Sequence, residues 1–168
     1  LAAGLRRPRN PVRGLELAGV VESVGTEVTA FTPGDAVFGI GDGSFAEYTR
    51  ASPSKLVHKP SNVGFEEAAV VPVSATTALV GLRAAEVEAG QTVLITGAGG
   101  GVGSCAVQIA RAMGAEVTGV CSTSKLEFVR SLGAADAIDY TREDITTGAR
   151  TYDAIVDLAG SRRVSALR

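Results

Sequence analysis

Apolar positions between residues 93 and 160 come in short runs separated by stretches of helical spacing. Val93-Leu94-Ile95 stops at Thr96, a glycine-dense turn follows, and from Val102 to Met113 apolar residues recur with helical periodicity. That order predicts strand, tight turn, helix. It then repeats. Glu116–Val120 reads as a second strand, Lys125–Leu132 as a helix ended by Gly133, and Ala137–Asp139 as a third strand. After an irregular polar link, Ala154–Leu158 reads as a fourth, with Gly160 behind it. Strands alternating with helices predict a parallel sheet with right-handed crossovers.

The first 65 residues have a different texture. Val20, Val21 and Val24 form a short apolar stretch before Gly25, and the turn signal Pro33-Gly34-Asp35 precedes a strand candidate at Ala36-Val37-Phe38. Gly41-Asp42-Gly43 is a second turn, ahead of Ser44-Phe45-Ala46-Glu47-Tyr48. Lys55–Lys59 alternates briefly and is closed by Pro60. Short strands with turns every ten residues or so predict a small barrel or distorted sandwich. From Phe65 the pattern turns helical, with one turn over Glu66–Val70 halted near Pro72 and a helix from Thr76 to Ala85. The expected domains are therefore 1–70 and 71–168.

Composition narrows the class without naming a chemistry. The chain has 168 residues, 45% of them hydrophobic, and a formal net charge of −2. Such a chain can bury a sizeable core. Without long basic runs there is no electrostatic case for nucleic acid, and Arg6-Arg7-Pro8-Arg9 reads as a solvated loop. No apolar run has spanning length, so no membrane association is expected. Cys105 and Cys121 are the only cysteines. Their spacing suits neither a metal knuckle nor a disulfide framework, both read as small buried hydrophobes, and a reducing, cytoplasmic setting fits best. The chain opens on Leu1 and stops at Arg168 inside a helical pattern, which reads as a fragment. Its fourth parallel strand would be a bare apolar edge, so the piece alone is expected to be unstable and inactive.

The glycine turn carries the first chemical signal. It reads A-x-G-x-x-G at Ala98, Gly100 and Gly103, a variant of the dinucleotide fingerprint with alanine in the first place. Gly100 would let backbone N–H groups approach a pyrophosphate, and Gly103 would let the helix lie close on its strand. The helix N-terminus at Gly101 and Val102 would hold the phosphate charge. A glycine loop of no consequence is the competing reading, which the flanking strand and helix disfavour.

Further motifs occur in a fixed order: G-L-E-L-A-G-V-V-E-S-V-G at 14–25, P-G-D-A-V-F-G at 33–39, S-F-A-E-Y at 44–48, A-G-G-G-V-G-S-C-A-V-Q-I-A at 98–110 and I-D-Y-T at 138–141. Together they resemble the medium-chain dehydrogenase/reductase superfamily, in its zinc-free quinone oxidoreductase branch. The resemblance implies an α/β protein: a partial GroES-like β-rich catalytic domain, then a partial Rossmann doubly wound parallel sheet. It also implies further residues before Leu1 and after Arg168, and allows a homodimer of the full-length protein.

Zinc-dependent members carry G-H-E where this chain has Gly14-Leu15-Glu16, and leucine cannot ligate Zn²⁺. The cysteine-rich lobe of those relatives has no counterpart between Gly39 and Ser44. His58 is the only histidine and has no ligand-type partner at suitable spacing, so no metal is expected. NAD-specific Rossmann domains place Asp or Glu about 20 residues beyond the motif to bind the ribose 2′-OH. Here that place holds Cys121-Ser122-Thr123-Ser124-Lys125, without a carboxylate. The Ser122 hydroxyl and the Lys125 ammonium suit a 2′-phosphate, though Lys125 could equally be a solvated lysine at the start of a helix. Relatives using NADPH are similar in having a lysine here and a tyrosine after the third strand, which match Lys125 and Tyr140. Tyr140 could also be an ordinary strand-end aromatic. The expected cofactor is NADP, with NADPH preferred over NADH.

The resemblance also implies that the threonine of a P-x-x-x-x-T-A segment lies near the nicotinamide. Pro72–Ala78 matches, so Thr77 is the candidate, with an N-terminal helix cap as its alternative. Without zinc to polarise an alcohol, the expected small-molecule substrates are quinones and α,β-unsaturated carbonyls. No catalytic acid is assigned: Tyr48, Glu16 and Asp35 each fit a turn or strand role as well. An enoyl reductase domain of a polyketide synthase is the second reading, disfavoured by I-D-Y-T. A non-catalytic NADPH-binding module is the third.

Overall fold

The computed structural model describes residues 11–147, 150–160, 163 and 165. The basic cluster Arg6–Arg9 lies outside them. The chain divides into two compact units, Leu1–Val73 and Ser74–Arg168.

The first unit is built on a three-stranded antiparallel sheet of β1 (Glu16–Val20), β2 (Ala36–Ile40) and β3 (Leu56–His58), in that order. Register runs from Glu16 opposite Ile40 to Val20 opposite Ala36, and Val37–Gly39 pair with His58–Leu56. The Pro33-Gly34-Asp35 turn feeds β2 as its sequence predicts, with Gly34 at φ +96. Two expectations shift. The strand before the turn is Glu16–Val20, so Val21 and Val24 lie beyond its end. Ser44–Tyr48 forms a bend closed by an isolated bridge between Asp42 and Arg50, because the loop turns back to the strand start: the Gly43, Ser44 and Phe45 N–H groups donate to carbonyls of Gly14 and Arg13. The core is small, with Phe31, Val37 and Ala68 buried, and His58 tilts against Phe31 at 5.0 Å between centroids. An open groove of about 1070 Å³ runs past Leu17, Val24, Phe31, Phe45, Tyr48 and Leu56. Glu16 acts structurally, its Oε1 accepting a hydrogen bond from the Val73 N–H at 2.8 Å. A short helix, α1 (Phe65–Ala69), follows the sheet.

The second unit holds a four-stranded parallel sheet. Its strands are β4 (Thr92–Thr96), β5 (Glu116–Cys121), β6 (Asp136–Asp139) and β7 (Ala154–Asp157), in spatial order β6-β5-β4-β7. That is the 3-2-1-4 half of a doubly wound sheet. The helices are α2 (Pro72–Ala84), α3 (Gly101–Ala112) and α4 (Leu126–Ser131). α2 starts at Pro72 and not near Thr76, since proline's fixed φ suits the first turn of a helix. All three helices pack their buried side chains on one face of the sheet, and Ile145 and Tyr152 pack on the other, so the strands are buried on both sides and read as unbroken apolar runs. Val93, Ile95, Val117, Ala137 and Val156 join Leu82, Ala106, Val107 and Val129 in the main cluster. Leu94, Val120 and Ile138 form a smaller one.

Leu82 is fully buried in that main cluster. Truncating it removes the branched end of the side chain and leaves a cavity, so Leu82→Ala is expected to cost about 2–5 kcal/mol. Val80→Ala, on the exposed side of the same helix at 61% exposure, should stay within about 0.5 kcal/mol. Denaturant midpoints of the two variants check the difference.

Candidate functional site

Parallel strands bring all their C-terminal ends to one edge of the sheet, where open α/β folds bind ligands. At this edge β4 ends in Thr96, β5 in Cys121, β6 in Asp139 and β7 in Asp157. The loops that follow carry most of the residues singled out by the sequence.

The glycine turn leaves β4 with Gly97 in the left-handed region at φ +66. Ala98 is buried and its N–H donates to the Val120 carbonyl at 3.0 Å, tying the turn to β5. Gly100 caps α3 without a side-chain hydrogen bond, and the helix begins at Gly101 and Val102. Gly101 is exposed, Val102 half-buried and Gly103 buried. The close approach expected of Gly103 is present. A Cβ there would stand 2.0 Å from the Gly97 carbonyl oxygen and 2.8 Å from the Ala98 Cα, both backbone atoms. Gly100 is less constrained, since its Cβ would meet only the Gly97 oxygen, at 3.3 Å. No acidic side chain occupies the first turn of α3, so its positive end faces outward uncompensated.

The loop after β5 forms a 3₁₀ turn, Thr123–Lys125. Lys125 stands at the start of α4, exposed, with its Nζ 5.3 Å from the Phe128 ring centroid. Its stem lies against the glycine turn: a Cβ on Gly99 would be 3.0 Å from the Lys125 Cβ and 3.1 Å from its Cγ. Nothing in the sequence assigns Gly99 a role, because the demand on it arises from a residue far along the chain. Ser122 and Ser124 hydroxyls lie 3.4 Å apart. Tyr140 follows β6, is 53% exposed, and donates its N–H to the Cys121 carbonyl at 3.1 Å. The structure thus brings Ala98–Gly103, Ser122, Lys125 and Tyr140 to one edge. Thr77 is exposed within α2, well past the helix start at Pro72, so the N-cap alternative for it is set aside.

Two buried polar residues escaped sequence reading. Thr96 donates its hydroxyl to the Asp157 carboxylate and accepts hydrogen bonds from the N–H groups of Leu158 (3.1 Å) and Ala159 (3.3 Å), fixing the loop where strand order reverses. Asp139 is 8% exposed. Hydrogen bonds from the Thr123 and Thr141 hydroxyls hold its carboxyl below the usual carboxylate range, helped by the Thr141 N–H and the Arg142 charge against the opposing cost of burial. Burial, then the Asp139 charge, push the Cys121 thiol up, with Arg130 pulling it down, so it stays protonated and inert. Cys105 is only half-buried, a correction to the reading of both cysteines as buried. Among the described residues no group of three or more His, Cys, Asp or Glu side chains is placed to hold a metal ion, and no helix is long and apolar enough to cross a membrane.

Two family profiles match in succession: "Alcohol dehydrogenase GroES-like domain" over residues 2–61 and "Zinc-binding dehydrogenase" over residues 101–167. The chain is 38% identical over 165 residues to the 2-methylene-furan-3-one reductase of Solanum lycopersicum, covering 91% of this chain and 42% of that protein. It is 39% identical to the chloroplastic NADPH-dependent alkenal/one oxidoreductase of Arabidopsis thaliana, with 91% and 43% covered. The quinone oxidoreductase structure from Coxiella burnetii superposes with a TM-score of 0.84 at 35% identity, covering 90% of this chain and 50% of that one. The chain therefore spans half or less of the length of these relatives. Two domain patterns in the family's order, on a GroES-like unit followed by a Rossmann-like parallel sheet, place this chain in the medium-chain dehydrogenase/reductase superfamily, within its quinone oxidoreductase branch.

Proposed function

We propose that the chain is the cofactor-binding portion, with part of the catalytic domain, of an NADPH-dependent oxidoreductase that reduces a quinone or an α,β-unsaturated carbonyl without zinc. The observation that carries this reading is the shared edge: the start of α3, which has no side-chain cap, and Ser122, Lys125 and Tyr140 all follow C-terminal strand ends of one parallel sheet. The buried carboxylate beside Lys125 and Tyr140, that of Asp139, is occupied by hydrogen bonds. The names of the relatives, an NADPH-dependent alkenal/one oxidoreductase and a quinone oxidoreductase, support the same class.

In this reading each residue has a physical role. The N–H groups of Gly101, Val102 and Gly103 point the positive end of α3 at a pyrophosphate, and Gly100 leaves the approach open. Lys125 neutralises a 2′-phosphate on the adenosine ribose, Ser122 hydrogen-bonds it, and Tyr140 flanks it. Ala98 closes the turn onto β5, and Thr77 serves the nicotinamide end. The bound cofactor supplies the hydride; the protein supplies position and field. Leu15 stands where zinc-dependent members have a ligand, so the acceptor must already be electron-poor. The domains are taken as 1–70 and 71–168, the substrate as a small molecule, and the setting as cytoplasmic, on the strength of a cysteine spacing that suits no disulfide framework. A homodimer is part of the same proposal.

The test is NADPH oxidation by the full-length protein against quinones, enones and enoyl thioesters. Turnover with quinones or enones at a kcat/KM about tenfold above that with NADH (~1.4 kcal/mol) is expected. Preference for enoyl thioesters would instead favour the enoyl reductase reading. Tight NADPH binding with no turnover would leave a binding module.

A further inference from the structure

We infer that Asp139 is a positioning residue for cofactor selection: it locks together the two loops that carry Lys125 and Tyr140, and so sets the preference for NADPH over NADH. The inference rests on the 2′-phosphate reading above and adds to it a residue that touches neither cofactor nor substrate.

Among the described residues Asp139 is the one charged side chain that is buried. A buried carboxylate is expensive unless every lone pair is used, and here the partners come from both loops. One oxygen accepts the Thr123 hydroxyl, from the loop after β5. The other accepts the Thr141 N–H at 2.9 Å and the Thr141 hydroxyl at 2.7 Å, from the loop after β6. The two threonine hydroxyls are themselves 3.2 Å apart, and the Arg142 Nε lies 3.6 Å from the carboxylate. The Asp139 carbonyl adds hydrogen bonds from the Arg142 and Glu143 N–H groups. Thr123 sits between Ser122 and Lys125, and Thr141 adjoins Tyr140. Each clasped residue is thus one or two positions from a residue assigned to the 2′-phosphate.

The sheet itself does not require this clasp. The β5–β6 ladder runs through backbone pairing from Thr118–Asp136 to Cys121–Asp139 and ends there. The side-chain network begins where the ladder stops, so what it orders is the loops. A free carboxylate at this corner would repel a phosphate. This one is consumed by three donors and faced by Arg142, so its charge is answered within the clasp and does not oppose the exposed Lys125 ammonium. An asparagine could keep the tie, its Oδ1 accepting from Thr141 and its amide donating to the Thr123 oxygen. An alanine could not.

The experiment measures dissociation constants of NADPH and NADH for the full-length protein, wild type, Asp139→Ala and Asp139→Asn. Loss of the clasp is expected to weaken NADPH about tenfold in Asp139→Ala while NADH changes by less than about twofold. Asp139→Asn should retain NADPH affinity to within about twofold or bind it more tightly. Equal weakening of both cofactors in Asp139→Ala, or no change in either, would overturn the inference. If Asp139→Ala gives no cooperative melt, Thr123→Val carries the test on an exposed loop: a selective loss of NADPH affinity supports the clasp, and an unchanged ratio overturns it. A wild-type protein without any NADPH preference would refute the cofactor reading itself, a result separate from either outcome in the variants.

Discussion

Gly103→Ala is expected to lower the stability of the Rossmann unit by about 3 kcal/mol and to abolish measurable NADPH binding by the full-length protein. The added methyl has nowhere to go. Its carbon would lie 2.0 Å from the Gly97 oxygen, 2.7 Å from the Gly97 carbonyl carbon and 2.8 Å from the Ala98 Cα. These are backbone atoms of the turn itself, so relief requires α3 to lift off β4 and the turn to reshape. Ala98 would then lose its tie to the Val120 carbonyl, and the N–H groups at the start of α3 would no longer converge. A fall in Tm of roughly 10 °C is the expected readout. Gly101→Ala is the internal control. Its Cβ would meet only the Ser74 Oγ, at 3.4 Å, and alanine is the better helix former by about 1 kcal/mol. Stability should hold or rise there. Two alanines two residues apart on one helix, with opposite effects on Tm, would be hard to explain by anything but the close approach at Gly103. Equal behaviour would show that α3 does not pack as described.

That contrast also marks how far sequence carries. The strand, turn and helix around Gly97–Gly103 were legible because three constraints coincide locally: an apolar run buried on both faces, a turn needing positive φ, and a helix needing close approach. The expected strands at 93–96, 116–120, 137–139 and 154–158 match the observed ones to within two residues for the same reason. The GroES-like unit was harder. Its sheet buries only one small core, so Val21 and Val24 look like strand residues although the strand register ends at Val20 and Val21 bonds instead to the Gly34-Asp35 turn. Ser44–Tyr48 follows a turn signal as a strand would, yet the Ser44 and Phe45 N–H groups donate to carbonyls of Gly14 and Arg13, far back in the chain. Such partners leave no periodic trace. Asp139 shows the same limit at the site. In sequence it is the acid of I-D-Y-T, and only the fold reveals that Thr123, sixteen residues earlier, donates to it. Lys125 and Tyr140 could be named from resemblance. That Gly99 must be small to admit the Lys125 stem could not.

Reversing the charge at Lys125 gives the second large effect. Lys125 is exposed, its ammonium rests over the Phe128 ring, and its stem is held against Gly99. Only the head is therefore free to serve a ligand at this edge, where the start of α3 and Tyr140 also lie. NADPH carries a 2′-phosphate where NADH has a ribose 2′-OH, which adds negative charge and acceptor oxygens at that one place, so a cation here must favour NADPH and be nearly silent to NADH. Two unit charges about 4 Å apart interact by roughly 1 kcal/mol in water and about 4 at a partly screened surface. An exposed lysine falls nearer the lower figure, and a tenfold preference, ~1.4 kcal/mol, is the size to expect. Lys125→Glu replaces attraction with repulsion, so the preference should vanish and pass to NADH. Lys125→Met, which keeps the apolar stem against Gly99, should bring the two affinities close together without reversing them. Because the head is solvated, the wild-type preference should shrink as ionic strength rises past about 0.1 M, where screening acts within about 10 Å. Measured dissociation constants for both cofactors, at low and high salt, separate these outcomes. An unaltered NADPH preference in Lys125→Glu would move the phosphate away from the end of β5, and with it the assignment of Ser122 and Tyr140.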